Sequence, residues 1–121
     1  MSEEEKEEVE SILAKLMDNI PEIEGLIAFN SNGEIITGQT ITEMDHKAIS
    51  ETAINTLKES AKLTESIDKG DVSVVHVSGG EGHAIIVSSD DLYLLAIAGE
   101  DATPSVGLII RNLKMALDQL E

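Results

Sequence analysis

The chain has 121 residues, enough for one domain and too few for two. Its 24 acidic and 8 basic side chains leave a formal charge of −16, which repels nucleic-acid phosphates and anionic lipid. Two aromatic residues, Phe29 and Tyr93, cannot build base-stacking platforms or aromatic cages, and the lack of cysteine removes disulfides, thiolate nucleophiles and Cys-ligated metals.

The first residues, Met1-Ser2-Glu3-Glu4-Glu5, are the opposite of a basic signal-peptide start. No apolar run reaches the roughly 20 residues of a membrane helix. The expectation is a cytoplasmic protein of one domain, residues 1–121, with no nucleic-acid partner and no membrane insertion. The charge is unevenly placed: six of the 16 glutamates lie in the first ten residues.

Val9, Ile12, Leu13, Leu16, Met17 and Ile20 fall on one stripe at helical spacing. Ser2 with Glu5 three residues on is a capping-box pattern, acids crowd the first turns, and Pro21 ends the helix. A hairpin follows: Leu26 to Phe29, a turn at Asn30-Ser31-Asn32-Gly33, and a return over Glu34 to Gly38. Thr42 with Asp45 resembles the cap of a second helix, from about Glu43 to Ile67. Its stripe is Ile49, Ala53, Leu57 and Leu63, beside the small residues Thr52, Thr56, Ser60, Ala61 and Thr64. Small side chains let another helix approach closely.

Three strands come next: Val72 to Val77, His83 to Val87, and Leu92 to Ile97. The turns between them are Ser78 to Gly82 and Ser88 to Asp91, short enough for an antiparallel meander. The last strand is apolar almost throughout, so both its faces are covered and it belongs in the middle of the sheet. A third helix starts near Pro104 with Thr103 as its cap. Val106, Ile109, Ile110, Leu113, Ala116, Leu117 and Leu120 form its stripe. The order is α-β-β-α-β-β-β-α, an α/β (α+β) sandwich with a five-stranded antiparallel sheet.

Little catalytic chemistry is visible. His76 and His83 flank a glycine-rich turn and, with Glu81, are too few for a catalytic zinc site, so they read as cross-strand or solvent-facing histidines. Gly79-Gly80-Glu81-Gly82 lies between strands, opens no helix and brings no lysine, so it reads as a hairpin turn and not a phosphate cradle. No nucleophile elbow or zincin helix occurs. Arg111, the only arginine, and the Asp90-Asp91 pair read as surface charges. No catalytic, cofactor-binding or metal residues are assigned, and no cofactor is expected.

The strand Val72 to Val77 contains no acid and sits at one edge if the last two strands are central. A Val-rich, uncharged edge invites aggregation unless something covers it. The simplest cover is the same strand of a second copy across a two-fold axis, with the preceding small-residue helix meeting its own mate.

These segments, taken together and in order, resemble the roadblock / dynein light chain domain. The likeness is carried by Glu24-Gly25-Leu26-Ile27-Ala28-Phe29, Ser31-Asn32-Gly33-Glu34-Ile35-Ile36, and the helix through Ala53 and Leu57. Gly82-His83-Ala84-Ile85-Ile86-Val87, Asp91 to Ile97, and Val106-Gly107-Leu108-Ile109 complete it. The resemblance implies a profilin-like sandwich with one helix on one face of the sheet and two on the other. It implies a homodimer through the third strand and second helix, here Val72, Val74, Val75, His76, Val77, Ile49, Ala53, Thr56, Leu57 and Ser60. It also implies a non-catalytic regulator or scaffold for a small Ras-like GTPase, similar to the prokaryotic single-domain members that regulate gliding-motility GTPases. The alternative is a motor or cargo adaptor, or a general scaffold, without GTPase contact.

Overall fold

Local signals set where each element begins. In the computed structural model, which describes residues 2–120, Ser2 caps α1 (Glu3–Asn19): its hydroxyl oxygen accepts from the Glu5 amide and donates to the Glu5 carboxylate. The helix stops one residue before Ile20, ahead of Pro21. Strands β1 (Ile23–Phe29) and β2 (Ile35–Thr40) form the first hairpin. Its loop is knitted by the Asn30 side chain, whose oxygen accepts from the amides of Asn32 and Glu34. Gly33 takes the positive φ of +80° that the turn requires.

The second helix, α2 (His46–Ser66), starts later than the sequence pattern suggests. Asp45, not Thr42, caps it, accepting from the Ala48 amide at 3.1 Å. A carboxylate three residues before a free helical amide outcompetes the more distant threonine. The meander that follows is β3 (Val74–Gly79), β4 (Gly82–Ser89) and β5 (Leu92–Gly99). Here β3 is shifted: Val72 and Ser73 precede the strand, and pairing continues to Gly79 opposite Gly82, leaving only Gly80 and Glu81 in the turn. Glycine is needed at Gly82, where φ is +156° and a Cβ would collide with the Ala98 carbonyl oxygen.

A 3₁₀ segment, Glu100–Ser105, holds Pro104, and α3 (Val106–Leu120) begins after it. Thr103 is therefore not the cap of α3; its hydroxyl donates to the Glu100 carbonyl within the 3₁₀ turn.

All strand pairs are antiparallel, in the order β2-β1-β5-β4-β3. As expected from its apolar run, β5 is central, and β3 is an edge. Alternation along the strands sorts side chains between two faces. One face packs beneath α1 and α3, where Leu26, Ile85, Leu94, Leu13, Ile109 and Leu113 are fully buried. The other face carries Ile27, Phe29, Ile86 and Leu95 beneath α2, with Phe29 and Tyr93 edge to face at 5.5 Å. The one-helix, two-helix arrangement of the sandwich is present as expected.

Candidate functional site

On the α2 side the cover is incomplete. The helix lies over β1 and β2 and presents its small residues Ala48, Thr52, Ala53 and Thr56 toward the rest of the sheet. Between them and β4 and β3 runs an apolar groove of about 410 Å³. Its floor is Ile86 and Leu95, and Ala84 and Val77 form its far wall. Val77 is 49 % exposed, although it is a large apolar side chain on a strand. The helix has only two fully buried residues, Ser50 and Ala53. Ser50 shares its one hydroxyl proton between the Gly33 carbonyl at 3.0 Å, which ties the helix to the β1–β2 loop, and the Lys47 carbonyl of its own helix at 2.9 Å.

Beside the groove, the outer edge of β3 is unpaired, since β3 has β4 as its only partner strand among the described residues. The groove and the edge are contiguous through Val77. A sheet edge supplies unsatisfied amides and carbonyls, and the groove supplies uncovered apolar surface. Together they are suited to taking another strand and another helix.

The ten residues expected at a dimer seam divide. Ile49, Ala53, Thr56 and Val77 line the groove. Val75 on β3 and Leu57 on α2 pack against the cluster between that helix and the sheet. Ser60 lies farther along α2, next to Thr56 and Leu63. Val74 packs on the opposite face, against the α1/α3 core, because it is one residue out of phase with Val75. His76 shares that opposite face, and Val72 lies before the strand. Leu63, expected on the packed stripe of α2, is 62 % exposed, because the sheet does not extend beneath that end of the helix. Ala48 and Ala84 belong to the groove and were not expected there. The four-residue spacing of Ala48, Thr52 and Thr56 was the available signal for Ala48.

On the other face, His76 and His83 meet. The His76 Nε2 and His83 Nδ1 atoms are 3.0 Å apart, and His83 Nε2 is 3.0 Å from Thr103 Oγ1. Among the described residues no three His, Asp or Glu side chains gather closely enough to hold a metal ion between them. The third histidine, His46, sits apart, with its Nε2 3.2 Å from Thr40 Oγ1. At the other end of the strands, Asp91 accepts from both the hydroxyl and the amide of Ser31, which holds its carboxyl below the usual carboxylate range. No helix among the described residues is long and apolar enough to cross a membrane.

No protein-family model and no curated protein matches the sequence. Solved structures do match. Myxococcus xanthus MglB superposes with a TM-score of 0.85 at 17% identity, covering 99% of this chain and 90% of that one. The gliding protein MglB from Thermus thermophilus gives 0.87 at 10% identity, covering 99% and 93%. A roadblock/LC7 domain from Streptomyces avermitilis gives 0.80 at 13% identity, covering 91% and 92%.

Proposed function

We propose that this chain, which has the roadblock/LC7 fold and is similar in structure to MglB, is a non-catalytic homodimeric regulator or scaffold that binds a small Ras-like GTPase. One observation carries the reading: an apolar groove under α2 that opens directly onto an unpaired β3 edge. In the dimer, β3 pairs with its mate across a two-fold axis, and the small-residue stripe of α2 meets the same stripe of the second copy. The paired α2 helices then present a broad surface for the GTPase. The −16 charge favours a partner with a basic patch and speeds its approach at low salt.

The seam is tested by Val77→Lys, which puts a charge where β3 and the groove join and leaves the α1/α3 core untouched. Val74→Lys is a poorer probe, because Val74 packs on that core. Light scattering after size exclusion is expected to give a dimer for the native chain and a monomer for Val77→Lys. A dimer that survives the substitution rejects this seam.

For the partner, the chain is mixed with small Ras-like GTPases loaded with GDP or with a GTP analogue. A complex that forms in one nucleotide state supports GTPase regulation. Absence of a complex in both states removes the GTPase and leaves the adaptor reading, for which peptide pairing at a strand edge is the expected mode.

A further inference from the structure

We propose that His76 and His83 form a two-imidazole site for a divalent transition-metal ion, with zinc as its representative occupant. The argument begins with proton accounting. Thr103 has one hydroxyl proton, and donates it to the Glu100 carbonyl at 2.8 Å. Toward His83 Nε2, 3.0 Å away, the same oxygen must therefore accept. The His83 proton is thus held on Nε2, and a neutral ring has a bare lone pair on Nδ1. That lone pair points at His76 Nε2, 3.0 Å away, which supplies the proton between the two rings.

This is the arrangement that prepares an imidazole for a metal. A ligating histidine ordinarily donates its other ring N–H to a fixed acceptor, which sets the tautomer and the ring's direction. His83 has such an acceptor in Thr103, itself anchored to the 3₁₀ turn, and is only 8 % exposed. His76 is exposed on the edge strand, so its single ring proton moves through solvent from Nε2 to Nδ1, which leaves the Nε2 lone pair for the metal. The spacing also fits. Two nitrogens bound at about 2.0–2.1 Å, with an angle at the metal between square and tetrahedral, lie about 2.8–3.4 Å apart. The metal replaces the shared proton but sits to one side of the Nδ1–Nε2 line, so both rings turn slightly for their lone pairs to converge on it.

Two protein ligands leave the remaining positions to water, so the ion is exchangeable and its coordination open. Imidazole pairs select zinc, nickel or copper over magnesium and calcium. The site lies on the α3 side of the sheet, whereas the proposed seam uses the β3 backbone and the α2 side. It does not depend on the GTPase reading, and the two fail separately.

The test is a titration of the full chain with zinc in excess magnesium, which occupies the acidic surface. Native protein is expected to bind one ion per chain. His76→Gln, a surface change that keeps the fold, weakens binding at least about tenfold. Thr103→Val weakens it about tenfold by freeing the His83 tautomer. His46→Gln leaves it unchanged. In ¹⁵N spectra of the imidazoles, the zinc-induced shift falls on His83 Nδ1 and not on Nε2. No saturable zinc binding above the magnesium background, or native affinity in His76→Gln, overturns the proposal.

Discussion

Among the described residues, 17 buried side chains contributed by the sheet, its flanking turns and two helices form one cluster on the α1/α3 side; on the α2 side five do, one of them from the helix. Both faces are lined by the same strands, so β-propensity does not separate them. Helical cover does. The stripe of α3 places Ile109, Leu113, Ala116 and Leu117 in the core, while α2 buries only Ser50 and Ala53. The closed face holds the monomer together. The open face keeps apolar surface, at Val77 and Ala84, that no part of the described chain covers. A substitution on the first face acts chiefly on folding; in the proposed dimer, one on the second costs less in folding and acts on association as well.

The largest expected effect contrasts the two faces directly. Leu113→Ala, at a fully buried position, lowers unfolding free energy by about 2–5 kcal/mol. Ile49→Ala, half-buried at the groove, lowers it by about 1 kcal/mol. Urea unfolding at concentrations low enough to keep the chain monomeric checks both, because association adds stability of its own. Equal losses would show that the faces share the load.

A smaller effect tests how α2 is held. Ser50→Ala removes a buried hydroxyl whose one proton is shared between two carbonyls and costs about 1 kcal/mol. Amide exchange in α2 is expected to speed up more than in α3. Equal acceleration of both helices would mean that α2 is no more loosely held than α3.

The smallest concerns the clasp between the β1–β2 loop and the β4–β5 turn. The Asp91 carboxyl titrates below its unfolded value because Ser31 bonds its charged form. Its contribution is thus complete above about pH 4 and is lost as pH falls through the lower folded value. Asp91→Asn lowers the melting temperature slightly at neutral pH, and the difference from the native chain closes as pH falls through that window, which flattens the acid limb. An unaltered acid limb would assign acid sensitivity to other carboxylates.

The element order and the central place of β5 were legible because they rest on local patterns: apolar periodicity, Pro21, Gly33 and the alternation within strands. The errors were also local in origin. Thr42 and Asp45 are both good caps, and only the path of the chain after β2 selects Asp45. Val72 to Val77 is uniformly β-branched apart from Ser73 and His76, so nothing within it marks the true start of pairing at Val74; Val87 on β4 does. With that register unset, the face on which each residue lies was not legible: Val74 and His76 lie on the α1/α3 side, and Val75 and Val77 on the α2 side. Thr103 has a side-chain partner 20 positions away, and no sequence pattern announces that bond. Ser50 likewise looked like an ordinary polar helix residue until Gly33, 17 positions back, was brought against it.

The strand order has a consequence in time. In β1, Phe29 pairs with Tyr93 and Ile23 with Ala98, so one whole side of this strand waits for a partner near the other end of the chain. Until β5 exists, β1 and β2 are a lone hairpin with a bare apolar face, a structure that is marginal in water. Closing so long a loop comes before any reward from the contacts it makes, which slows folding relative to a helical bundle of equal size. On the ribosome, the sheet's middle stays open until residues 92–99 have emerged, and the earlier strands remain in need of shelter for that interval.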